Sequence, residues 1–116
     1  MMDREIKLRF WLPEEEMHYS ENMDNYYIGS WIVKDSIIKM QYTGLTDQEG
    51  TEIYEGDVIE DDYIATSEYR SQVYFQNGAF WVNYGGAVKL LADRDMRHIK
   101  VIGNKFEDEE LLDDNG

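Results

Sequence analysis

Asn77-Gly78 lies between VYFQ and AFWV, and this leaves the chain little local freedom. A two-residue type I′ turn needs positive φ at both central positions, and its twist matches that of the strands it joins. The turn fixes a register: Gln76 opposite Ala79, Phe75 opposite Phe80, Tyr74 opposite Trp81 and Val73 opposite Val82. Val73, Phe75, Phe80 and Val82 then share one face, assigned to the core, and Tyr74 and Trp81 share the other. The chain is built around antiparallel strands.

The rest of the pattern extends that reading. Over Arg4–Trp11, Ile6, Leu8 and Phe10 alternate with Lys7, Arg9 and Trp11, which predicts a half-buried strand with a basic outer face. Pro13 ends it, and Met17-His18-Tyr19 starts a short return. Tyr26-Tyr27-Ile28 and Trp31-Ile32-Val33 read as two short strands, and Asp35-Ser36 turns the chain into Ile37–Tyr42. Asp47-Gln48-Glu49-Gly50 has the chemistry of a tight turn, with an Asx acceptor and a glycine for the left-handed position. Thr51–Glu60 reads as one bent strand turned at Gly56, and Asp57 as a turn residue bonded to nearby amides. Residues 60–68 read as an exposed loop. Ala87–Leu91 suits a strand, Ala92–Arg97 a helical turn, and Ile99–Ile102 a last strand. Phe106 is placed to anchor the tail, with a short helix over Glu107–Leu112 and fraying beyond it.

Three ordered blocks also carry a resemblance: R-E-I-K-x-R-x-W from Arg4, Y-T-G-L followed by G-x-E-I-Y-E-G-D up to Asp57, and V-I-G-N from Val101. Together they resemble the YopX family of phage and prophage proteins. The resemblance implies a small, mostly β phage protein without an established activity, and it supplies no catalytic residues.

Together these signals predict a mainly β chain (β-rich α+β). Its centre is a small Src-homology-3-like antiparallel barrel, flanked by N-terminal strands and carrying one or two short helical turns. Residues 1–39 are expected to form an N-terminal β segment packed on the barrel, 40–106 the barrel core, and 107–116 an acidic tail.

Charge bounds the function. The net charge is −14, and it is local. Nine carboxylates and no basic residue lie between Lys39 and Arg70, and six more lie from Glu107 onward, leaving 10 acidic against 11 basic residues elsewhere. Direct nucleic-acid binding is not expected, because phosphate contacts need a basic face. Cysteine is absent, which removes disulfides and thiolate chemistry and fits a reducing compartment. No apolar run approaches the ~20 residues of a membrane helix, and the charged N-terminus is not that of a signal peptide. A bacterial host cytoplasm is the expected location.

The search for chemistry ends without a site. His18 and His98 stand apart in strand-like surroundings. Asp47, Glu49 and Gly50 match only a fragment of a calcium loop. No nucleophile elbow, phosphate loop or zinc signature is present, so the chain reads as non-enzymatic, without cofactor or metal. Two functions remain open. One is a phage accessory protein acting by protein–protein contact, expected to self-associate through the aromatics Trp11, Tyr74 and Trp81. The other is an acidic nucleic-acid mimic using Asp57, Glu60, Asp61 and Asp62 against a basic host protein. The plain alternative for those carboxylates is a solvated surface that keeps the protein soluble.

Overall fold

The computed structural model describes residues 6–63 and 69–113. Among the described residues, ten short strands form three antiparallel sheets that curl into a half-barrel, accompanied by two short helices. The first sheet is ordered β2-β1-β3-β4, from Glu16–Tyr19, Leu8–Leu12, Ile38–Thr46 and Glu52–Tyr54. The second is β10-β5-β6, from Ile99–Asn104, Asp57–Asp61 and Tyr69–Gln72. The third is the meander β7-β8-β9, from Tyr74–Gln76, Ala79–Tyr84 and Ala87–Leu90. The mainly β expectation holds.

The Asn77-Gly78 turn forms with both residues at positive φ, 51° and 79°, and sets the pairs Tyr74–Trp81, Phe75–Phe80 and Gln76–Ala79. The fourth expected pair does not form. Val73 instead crosses to the strand around Gly56, where its amide donates to the Asp57 carbonyl and its carbonyl accepts from Gly56 N–H, both at 2.8 Å. Val73 is fully buried at this corner. Phe75 was expected in the core but is 45% exposed, because β7 runs out past the edge of the core.

Ile53, Ile59, Val73, Val82, Tyr84, Leu91 and Ile99 make the core, drawn from all three sheets and the turn Leu91–Asp93. β5 is the central strand of its sheet, and side chains on both of its faces are buried. Asp57, Ile59 and Asp61 share one face by the two-residue period, which carries two aspartates inward beside a core isoleucine.

Three further expectations change. The apolar segments at 26–28 and 31–33 are not strands: Asn25–Ile32 is helix α1, with Trp31 packed edge-on against Phe10 at 5.6 Å and His18 at 5.2 Å. Ile28, Trp31 and Ile32 have helical spacing, and tertiary contact at Trp31 overrides the strand preference of the residue types. Thr51–Glu60 is not one bent strand but two, β4 and β5, in different sheets. In β1 the burial also departs from simple alternation. Phe10 is buried as expected, but Ile6 is 69% exposed and Arg9 is almost wholly enclosed. The start of the expected first strand at Arg4, the loop residues 64–68 and the end of the tail lie outside the described residues.

Gly56 is where the first and second sheets separate. Its φ is +91°, and a methyl on it would lie 2.9 Å from Met40 Sδ and 3.6 Å from an Arg9 nitrogen. Gly56→Ala is expected to lower stability by about 2 kcal/mol, from left-handed strain plus crowding. Gly85→Ala, at φ +64° with open space around it, should cost only about 1 kcal/mol by strain alone. Urea denaturation of the two variants measures the difference, and equal losses would show that the close approach at Gly56 adds nothing.

Candidate functional site

The two aspartates carried inward by β5 are held by specific partners. Asp57 Oδ1 lies 2.9 Å from Arg9 Nη2, and both side chains are nearly inaccessible. Asp57 Oδ2 accepts the Tyr54 N–H at 2.7 Å, the local amide bond expected of a turn aspartate. Arg9 also donates to the Glu55 carbonyl at 3.1 Å, and its guanidinium lies over the Tyr54 ring at 4.9 Å. Burial pushes the Asp57 carboxyl above its ordinary value, while the Arg9 charge and the Tyr54 amide pull it back. Asp61 accepts the Tyr84 hydroxyl at 2.7 Å and the Tyr63 amide at 3.0 Å. Burial and that bond raise the Tyr84 hydroxyl far above its usual value.

The remaining predicted acidic residues are paired near the surface. Glu60 faces Arg70 across β5 and β6, with Oε2 at 3.4 Å from Nε. Asp62 meets His98 Nδ1 at 2.7 Å, and Tyr63 packs edge-on against the same imidazole. Asp57, Glu60, Asp61 and Asp62 therefore do not form one exposed patch: two are interior and two have cationic or imidazole partners. Asp47, the calcium-loop fragment, is also fully used. Its Oδ1 accepts from the Glu49 and Thr51 amides and its Oδ2 from Val101, all at 2.9 Å. No group of three His, Cys, Asp or Glu is placed to hold a metal among the described residues.

The aromatic candidates are brought together. Trp11 on β1 stacks on Phe106 at 5.5 Å, and its strand partner is Ile38. Ile38, Met40, Tyr74, Phe75 and Phe106 line a groove of about 120 Å³, with Lys39 and Lys105 beside them. Trp81 stands opposite Tyr74 on the next strand, so the two share a side, and its indole N–H donates to the Gln76 carbonyl at 2.8 Å. Tyr74 thus lines the groove, Trp11 reaches it through Phe106, and Trp81 stands beside it as the strand partner of Tyr74. Sequence reasoning missed Ile38 and Phe75, which are 44% and 45% exposed at its edge. It also missed α1, which buries none of its residues and leaves Tyr26, Tyr27 and Ile32 exposed.

Comparison with known proteins follows the same outline. The family model described as YopX protein matches residues 3–113. Among solved structures, the crystal structure of protein EF1440 from Enterococcus faecalis superposes with a TM-score of 0.65 at 23% identity, covering 95% of this chain and 99% of that one. That likeness is one of fold. No curated protein matches the chain.

A double-mutant cycle tests the buried pair. Asp57→Asn and Arg9→Met alone are each expected to cost about 3–5 kcal/mol, because each strands a buried partner. The double variant should cost less than their sum by about 1–3 kcal/mol. Additive losses in urea denaturation would mean that the pair is not coupled. Tyr54 gives a pH test. Burial, with help from Glu52 and Glu21, pushes its hydroxyl up from 10.0 to about 12. The folded value exceeds the unfolded one, so this contribution is complete below pH 10 and is lost as pH rises towards about 12. The hydroxyl is buried without a hydrogen-bond partner. Tyr54→Phe should therefore be neutral or slightly stabilising at pH 7 and should lessen the alkaline loss, read from melting temperatures at pH 8 to 12.

Proposed function

The chain belongs to the YopX protein family, and on that footing we propose that it is a non-enzymatic phage or prophage accessory protein, acting in the bacterial cytoplasm through protein–protein contacts. Its first partner is a second copy of itself. The observation that carries this reading is the groove at Ile38, Tyr74, Phe75 and Phe106, with Trp11 and Trp81 beside it. Aromatic side chains that the core does not enclose are favoured anchors for a partner. Lys39, Lys105 and Glu55 all stand at the groove, and two copies of net charge −14 repel at long range, so the exposed apolar and aromatic side chains, not net charge, carry the contact. No helix among the described residues is long and apolar enough to cross a membrane.

The nucleic-acid-mimic reading draws less support from the geometry. Asp57 and Asp61 are each only 3% exposed, which leaves little carboxylate surface there for a basic groove on a partner.

Sedimentation equilibrium tests the self-association. The unaltered protein is expected to dimerise in the micromolar range, and more tightly as salt rises, because screening weakens the repulsion between two chains of net charge −14. Phe75→Asp should weaken the dimer by about tenfold or more while leaving the melting temperature nearly unchanged, since an exposed position contributes little to the core. A monomer at all concentrations, or a dimer unaffected by Phe75→Asp and Ile38→Asp together, would end this reading.

A further inference from the structure

A second concavity opens between the end of β5, the start of β6, the β8–β9 turn and the loop after Leu91. It encloses about 330 Å³ and is lined by Asp61, Tyr63, Tyr69, Tyr84, Lys89 and Arg94. A neighbouring lobe shares Asp61, Tyr63 and Arg94 and adds Asp93 and Asp95. Tyr69 and Tyr84 stack at 5.1 Å with their planes only 14° apart, which gives the cleft a flat aromatic wall. Hydrogen bonding to Asp61 and burial fix the Tyr84 ring in place.

The charges around this cleft are unevenly committed. Arg9, Arg70 and Arg97 each have a carboxylate partner. Arg94 is the one arginine among the described residues that has none, and its Nε is buried without a hydrogen-bond partner. Lys89 is likewise unpaired among the described residues. The nearby carboxylates are largely occupied. Asp61 accepts from the Tyr84 hydroxyl and the Tyr63 amide. Asp95 receives two bonds from the Arg97 guanidinium and is held down at about 2 by them; only Asp93 has no such partner. In a chain so rich in carboxylate, an arginine with no carboxylate partner among the described residues, beside an aromatic wall, is chemically unspent.

We propose that this cleft binds a small organic anion that carries a planar ring. Its phosphate or carboxylate group sits on Arg94, whose planar fork suits two oxygens at once, with Lys89 adding charge. Its ring lies in the tyrosine-walled part of the cleft, held by aromatic contact. The volume is at the lower end of small-molecule sites, near 300 Å³, which fits one ring and its anionic group. The acidic field of the whole protein opposes a long polyanion far more than a small one, so nucleic-acid strands are not the ligand. This inference does not depend on self-association.

The test is an amide NMR titration of the full chain with phenyl phosphate and with adenosine monophosphate. Inorganic phosphate and adenosine serve as the half-ligands. At least one ring-bearing anion is expected to give saturable shifts at Tyr63, Tyr69, Lys89 and Arg94, with a Kd of about 1 mM or tighter. Each half-ligand should bind at least about tenfold more weakly. Arg94→Gln should weaken the ring-bearing probe by about tenfold or more, and Arg94→Lys less, with amide shifts elsewhere confirming an intact fold. The proposal is overturned if neither ring-bearing probe saturates, if phosphate alone binds as tightly as phenyl phosphate, or if Arg94→Gln binds equally well.

Discussion

The fold turns on the enclosed ion pair between Arg9 on β1 and Asp57 on β5. These strands belong to different sheets, so the pair is a polar tie across the junction where the half-barrel curls. Gly56 makes the tie possible. Its positive φ separates β4 from β5, and its missing side chain leaves room for Met40 and the Arg9 guanidinium. The Gly56 amide and carbonyl bond to Val73 and Lys105, which brings the third sheet's lead-in and the C-terminal segment to the same point. A buried ion pair adds little stability over an apolar substitute, but breaking it is costly, so its role here is to specify which strands meet.

The same junction explains where the acidic excess goes. Residues 47–62 supply caps and anchors before they supply surface. Asp47 closes the turn after β3 and reaches β10, Asp57 holds Arg9, and Asp61 holds Tyr84. A carboxylate that accepts two or three bonds from amides, hydroxyls or guanidinium can remain buried without a large penalty. The acidity of this stretch is therefore partly architectural, and its surface share is smaller than the sequence suggests.

Aromatic residues divide in a similar way. Tyr54 packs under Arg9 at the sheet junction and Tyr69 and Tyr84 wall the cleft, whereas Trp11, Tyr74, Trp81 and Phe106 lie at or beside the lysine-flanked groove. The two concavities differ in chemistry. The groove is small, mixed in polarity and open at an edge strand. The cleft is larger, has a stacked tyrosine wall and carries an arginine with no carboxylate partner among the described residues. One chain of 116 residues thus carries two chemically distinct concavities.

Local chemistry was legible in the sequence. Asn77-Gly78, Asp47-Gly50, Pro13 and the strands beginning at Ala87 and Ile99 all follow from residues within a few positions of one another. The mainly β class, the family and the bonding of Asp57 to a nearby amide were equally within reach. What the sequence could not show is which side chains meet across sheets. Arg9 alternates as an outward residue, yet the second sheet folds over it; Val73 leaves its hairpin for a contact 17 residues back at Gly56. The strand-prone residues at 26–33 become a helix because Trp31 finds Phe10 and His18. The sequence alone determined the turns, the strand periodicity and the local hydrogen bonds, since these depend on short-range sterics. Tertiary structure alone decided which charges are buried, which aromatics meet and which arginine has no carboxylate partner among the described residues, because each of these depends on how separate sheets pack.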